Sequence, residues 1–487
     1  LLIAALIVSL ASCGGSDPGA GGGAAPTDPS QYAAEVEAIL AEELSGEITV
    51  SFFDLEGMLY ERYLNEAAYL FEFDHPGTTI NVGQSRMPES DSFGTSDSPM
   101  QGVMESPEYV ATMNYISRTN TELMSGKGAD IIAIDVLPYY QYAASGYLED
   151  LRFYMDADEN FNINGYRRDI IEAAEYNSGQ YMLPTGFWFQ FLTFDNTKVS
   201  AAAAAAMRGK AGFTYWEYMD MIHDQLIADD SGAMAIDFFR GALHAVLRVL
   251  NGDFKKYVDL EKKEAHFTDS DFAEMLERIK RQRADGYFYP QPDSPEDLIS
   301  LLSEQYYYQF IGYTLLPQLF KSEPDETLRS IFNITENDEI AGLMLNSEGQ
   351  ARFTYGLLFA INANSPNKKL AWEFLKFLLS EEMQQTNIQW GFPVNNAAFI
   401  EKTKEGFADG LTDDGRREIT KAENIEAYNA YMACLERFLS VLTYYKLEEP
   451  VIDNMVEKEV ELFLRGSESA EEAAASLQNK VQIYLNE

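Results

Sequence analysis

The alternation of apolar and polar positions divides the start of the folded chain into strands and a helix. Glu47 to Asp54 (EITVSFFD) is a β-rich run ending in an acid. Tyr60, Tyr63, Leu64, Ala67, Ala68 and Phe71 follow at helical spacing, and His75-Pro76-Gly77 breaks the run. Thr78 to Val82 (TTINV) reads as a second strand. Strand, helix and strand over this length predict a βαβ unit, hence a parallel sheet carrying helices on its faces. A further helix is predicted over Tyr109 to Met124, then the apolar strand Asp130 to Asp135 (DIIAID). Its unbroken β-branched run fits a sheet buried on both faces. Gly83 to Pro107, between the second strand and that helix, is a polar loop of a length that is either functional or disordered.

In open parallel sheets, ligands bind beyond the carboxyl ends of the strands. Asp54, Leu55 and Glu56 follow the first strand; Asp135 ends the third, with Tyr139 and Tyr140 close behind. Asp54 and Asp135 each have two readings, a contact in that crevice or a cap on the following helix. Tyr181 to Gln190 (YMLPTGFWFQ) sets three aromatics directly after a Pro-Thr-Gly breaker. Read as a strand, Phe187, Phe189 and Phe191 share one face, and Trp188, Gln190 and Leu192 share the other. The all-Phe face predicts core. The Trp-Gln face is amphipathic and suits a partly wet cleft.

The chain of 487 residues exceeds the usual size of one hydrophobic core, and its 46% apolar and 13% aromatic content excludes disorder. Thirty-six basic against 78 acidic residues give a net charge of −42. Such a surface repels phosphate backbones and anionic headgroups, which disfavours nucleic acid and electrostatic membrane docking. Cys13, Cys434 and the four histidines show no metal-ligand spacing, and no acids are spaced as in an EF-hand. Neither a metal nor a cofactor is expected.

The opening LLIAALIVSLASCGG is too short for a membrane span of about 20 residues. It reads as the apolar part of a secretory signal without its charged start, residues 1–12. Leu10-Ala11-Ser12-Cys13 resembles the bacterial lipoprotein box, in which the Cys is acylated and becomes the first mature residue. Residues 13–46 then form the lipidated Cys and a tether, whose Gly/Ala/Pro-rich part from Gly14 to Ser30 predicts a flexible spacer. Cys434 is left without a disulfide partner and is expected to be a buried thiol.

Several stretches resemble the carbohydrate-type extracellular solute-binding proteins, the capture subunits of ABC importers. They are LNEAAYLFEFDHPGTTINV, NTELMSGKGADIIAIDVLPYYQYAASGYLEDL, GQYMLPTGFWFQFLTFDNTKV and, most specifically, AINANSPNKKLAWEFLKFLLSEEMQ with GFPVNNAAF. In the last, Ser365 and Pro366 can start a helix whose Ala371, Phe374, Leu375, Leu378 and Leu379 form a core-facing stripe. That signature identifies a fold and is no binding site. The resemblance implies a two-lobed α/β fold of the type II periplasmic-binding-protein kind, each lobe a mixed sheet flanked by helices. It implies lobe 1 from 47–185 plus 312–361 and lobe 2 from 186–311 plus 362–487. The ligand, a sugar or oligosaccharide, would sit in the cleft while the lobes close on it, and ABC permease subunits would read the closed form. The implied protein is a monomer, lipid-anchored on the outer face of the cell membrane.

Sugars present CH faces and hydroxyl edges, so their sites combine flat rings with carboxylates, amides and Arg. Trp188 occupies a position where similar proteins place a ligand-facing residue. Glu56, Asp135, Tyr355 and Trp390 stand beside strand ends or crossovers expected at the cleft, and Gly312-Tyr313 reads as a further crossover. No nucleophile triad or Gly-x-Ser-x-Gly elbow is present, so no enzyme is expected. Three rivals stay open: a peptide or polyamine as ligand, a secreted glycosidase using two carboxylates, and a surface adhesion lipoprotein.

Overall fold

Strand β1 (Gly46–Phe53) alternates as its sequence dictates, burying Ile48, Val50 and Phe52 completely. The computed structural model describes residues 28–53, 59–85, 107–197, 199–228, 241–285, 287–288, 308–312, 316, 319–320, 336–386, 391–408, 422–445 and 449–486. Cys13 with its tether to 27, residues 86–106 of the polar loop, Glu56, Tyr313 and Trp390 lie outside them. The helix Leu59–Asp74 buries Tyr63, Leu64, Ala67 and Phe71, the stripe its spacing predicts. It leads into β2 (Thr78–Ser85), which runs parallel to β1 with Gly46 opposite Thr78. β3 (Ile131–Ala133) is parallel to β1 on its other side, so the expected βαβ unit is present. Two antiparallel strands, β4 (Leu183–Pro184) and β13 (Leu358–Ile361), complete the first sheet in the order β2-β1-β3-β13-β4.

The second sheet gathers β5 (Gly186–Trp188), β6 (Gln190–Asp195), β10 (Tyr308–Gly312), β11 (Asp338–Leu345), β12 (Ala351–Tyr355) and β14 (Phe392–Pro393). Their order is β10-β6-β11-β12-β5-β14, with β7 (Gly212–Thr214) beside β11 and β15 (Leu442–Tyr445) beside β12. β8 (Val258–Asp259) and β9 (Glu264–Ala265) form a separate hairpin.

These pairings correct the expected lobe boundaries. The expected lobe 1 takes in residues 312–361, but β11 and β12 lie in the second sheet and, among the described residues, only β13 returns to the first. The helix Lys368–Leu378 falls in the stretch assigned to lobe 2, yet it packs on the first sheet. There Phe374 meets Phe71 edge-on at 5.4 Å, and the Tyr63 hydroxyl donates to the Leu378 carbonyl at 2.7 Å. Ser365 does not cap this helix: its hydroxyl donates to Asp130 at 2.6 Å and its oxygen accepts from Asn367 N–H. The cap position belongs to Asn367.

The chain passes between the sheets within a few residues of one point. Thr185, fully buried, joins β4 to β5, and its N–H bonds the Leu357 carbonyl at 2.9 Å. Gly356 and Leu357 carry the chain back from β12 to β13, with Gly356 N–H on the Gly186 carbonyl at 2.7 Å. The third segment, β14, pairs Phe392 with Phe187. Gly391 precedes it at φ +89, and a Cβ there would stand 2.5 Å from the Phe187 carbonyl oxygen, so only glycine fits.

One core runs from the first sheet through this crossing to Phe399, Phe407 and Phe438. A second lies between the other sheet and the helices Gly241–Gly252, Phe272–Ala284, Pro450–Leu464 and Ala470–Asn486. The last two helices, Pro450–Leu464 and Ala470–Asn486, therefore help build the second lobe. Cys434 is buried at 3% exposure, and burial pushes its thiol up to about 11.

Candidate ligand-binding site

The strand pair β5–β6 keeps the alternation read from YMLPTGFWFQ. Phe187 and Phe189 pack against Phe392 at 5.7 and 5.8 Å, while Phe189 and Phe191 meet Phe438 at 6.0 and 6.1 Å. On the opposite face, Trp188 and Gln190 line a cavity of about 770 Å³, to which Phe189 also contributes. Thr354 stands directly across from Trp188 on β12, and Arg352 follows two residues away on the same face.

Helices supply the rest of the wall. His244, Leu247, Arg248 and Asn251 share one side of the helix Gly241–Gly252 by their i, i+3, i+4, i+7 spacing. Asp453 and Glu457, one turn apart, come from the helix Pro450–Leu464. Tyr215 and Trp216 open the helix Tyr215–Ala228, and Tyr257 adds a further ring to the wall.

Many polar groups here are already held. Arg248 Nη2 lies 3.3 Å from His244 Nε2, and because arginine only donates, that nitrogen accepts and carries no proton. Lys256 pairs with Asp271 at 2.6 Å, and the Tyr257 hydroxyl donates to the same carboxylate at 3.1 Å. Burial, reinforced by Asp271, pushes the Tyr257 phenol well up, so it stays a donor. Asp253 Oδ1 accepts from the N–H and hydroxyl of Ser347 at 2.9 and 2.7 Å. Asn346 accepts from Gln350 N–H and donates to its side-chain oxygen. Rings beside pre-fixed amides, carboxylates and guanidinium groups form a wall that can stack a flat apolar face and bond a hydroxyl rim with little reordering. Among the described residues, no group of three His, Cys, Asp or Glu side chains could hold a metal ion.

Of the residues picked from the sequence, Trp188 lines this cavity. Asp135 does not: it lies half-buried after β3 and accepts from the Tyr60 hydroxyl, which itself takes the Leu358 N–H at 3.3 Å. Tyr355, expected at the cleft, is a core residue. It sits one step out of phase with Thr354, its hydroxyl donates to the Ile170 carbonyl, and its ring lies 4.1 Å from that of Tyr445. Tyr140 lines a smaller pocket of about 180 Å³, where Tyr176 of the first lobe faces Leu260, Lys263 and Glu449 of the second. This small pocket lies between the lobes. The described wall of the large cavity belongs to the second lobe and begins at Trp188, three residues past Thr185.

Sequence reasoning missed Trp216, Arg248, Asn251 and Arg352. The helical stripe of polar side chains within the apolar GALHAVLRVLNG was the available signal for Arg248 and Asn251.

Residues 105–385, more than half of the chain, match the family described as bacterial extracellular solute-binding protein. The chain belongs to that family. No curated protein matches this solute-binding protein. Solved structures share its two-lobed fold. A family 1 extracellular solute-binding protein of Alicyclobacillus acidocaldarius is 14% identical with a TM-score of 0.55, covering 92% of this chain and all of that one. The Listeria monocytogenes substrate-binding protein Lmo0181, solved with cycloalternan, is 17% identical with a TM-score of 0.52, covering 91% and 99%. Maltose-bound MalE3 of T. maritima is 15% identical with a TM-score of 0.51, covering 90% and 99%. Among the described residues no helix is long and apolar enough to cross a membrane.

Proposed function

We propose that this solute-binding protein captures a sugar or oligosaccharide in the Trp188 cavity and delivers it to the permease subunits of an ABC importer. The observation that carries the reading is the pair of opposite faces on one strand. Phe187 packs in the core, while Trp188, the next residue, is turned into a cavity of about 770 Å³ with a pre-bonded polar wall. A volume in the range of about 300–1,000 Å³ suits a ligand of drug size. The cycloalternan and maltose in the Listeria and T. maritima structures support a saccharide here. Binding without turnover is the activity we assign, by a monomer.

Cys13 and the Gly-rich segment after it support a lipid leash on the outer face of the membrane. A capture protein held there releases its ligand where the permease sits.

A thermal-shift screen across mono- and oligosaccharides tests the reading, since ligand at 100 times Kd adds about 2.7 kcal/mol of stability. A raised Tm with one saccharide class is the expected result. If no saccharide moves the melt, the sugar assignment falls; a shift with peptides or polyamines redirects it. Release of shorter sugars from a bound oligosaccharide would convert the assignment to a glycosidase.

A further inference from the structure

The ring of Trp216 is held from outside the cavity it lines. Trp216 is the second residue of the helix Tyr215–Ala228, and Tyr215 meets it edge-on at 5.1 Å and 79°. Arg278, from the helix Phe272–Ala284, places its guanidinium carbon 4.0 Å from the Trp216 ring centroid. The same guanidinium bonds Asp220 at 3.2 Å. Asp220 lies one turn beyond Trp216 on the same helix, so one carboxylate fixes the cation over the ring one turn before it. Neither Arg278 nor Asp220 lines the cavity.

As an ion pair this contact stabilises little, because the Arg278 and Asp220 side chains are 38% and 71% exposed. Its effect is geometric. A planar, delocalised cation covers one face of an indole and holds the ring at one angle. A ring already fixed loses less rotational freedom when a ligand lies against it.

We propose that Arg278, held by Asp220, is a positioning residue that locks Trp216 as a stacking platform for a sugar ring and so sets affinity without touching the ligand. The inference rests on the saccharide reading above and adds a residue outside the cavity wall.

Calorimetric titration with maltotriose, and with the saccharide giving the largest thermal shift, tests it on five proteins: wild type, R278A, R278K, W216A and W216A/R278A. R278A is expected to weaken binding about three- to tenfold, with R278K recovering part of the loss. In the W216A background, R278A is expected to have no further effect, because the ring it positions is gone. No weakening by R278A, or equal weakening in both backgrounds, overturns the proposal. A melt on each variant confirms folding, which the exposure of Arg278 favours. Should wild type bind no saccharide, the sugar reading fails on its own, and acrylamide quenching of tryptophan fluorescence judges the clamp. R278A raises quenching in wild type but not in W216F if Arg278 holds the ring. An unchanged quenching constant sinks it.

Discussion

Trp188 and Thr354 stand opposite each other on antiparallel neighbours, and both turn to the cavity. The next pair along, Phe187 with Tyr355, turns to the core. A single step along these two strands therefore separates cavity lining from packing, and substitutions on either side of it should give opposite phenotypes.

Trp188→Ala should weaken ligand binding with little loss of stability, whereas Phe189→Ala should cost about 3–5 kcal/mol. Urea unfolding alongside saccharide titration separates the two. Equal destabilisation by both would place Trp188 in the core.

Tyr355→Phe should lower stability by about 1 kcal/mol through loss of the bond to the Ile170 carbonyl, and leave saccharide affinity unchanged. A selective loss of affinity would return Tyr355 to the site.

Gly391→Ala should destabilise by about 1–3 kcal/mol, because a side chain at φ +89 is strained and its Cβ collides with the Phe187 backbone. The midpoint of chemical unfolding reads this directly. A wild-type midpoint would show that the crossing can yield.

Asp158 governs part of the acid sensitivity. Burial raises its carboxyl, but hydrogen bonds from Lys376, the Trp372 indole and Asn160 N–H outweigh burial and hold it below the usual range. A folded pKa below the unfolded value of about 3.9 gives stability that is present above that value and lost as pH falls through the folded one. Wild type should therefore exceed Asp158→Asn in stability at pH 6, with the margin shrinking below about pH 4. A margin independent of pH would assign the role to packing.

The Cys434 thiol, pushed up to about 11 by burial, should resist aromatic disulfide reagents at pH 8 until the protein unfolds. Fast labelling of the native protein would contradict its burial on the inner side of the helix Ala422–Leu439.

The sequence disclosed elements wherever the pattern was local. β1, the helix after it and β2 switch cleanly from period two to helical spacing, and the structure forms them as a parallel pair. Which sheet a strand joins is not a local property. The short apolar runs of β11, β12 and β13 look alike, yet β13 pairs with β3 while β11 pairs with β6, far away along the chain. Tyr355 misled because the phase of a strand, a matter of one residue, decides which face a ring occupies. Trp188 was legible because three Phe residues fixed the phase around it. Arg278 was not, since RIKRQR reads as a solvated charge run until the neighbouring helix brings Trp216 beneath it.

The threading of β13 bears on how the chain is made. Among the described residues that strand alone links β3 to β4, so the first sheet stays in two pieces until Ile361 has emerged from the ribosome. β14 and β15, later still in the chain, join the other sheet. A nascent chain stalled at residue 350 holds neither sheet complete, and no single cut in the chain separates the strands of one sheet from those of the other.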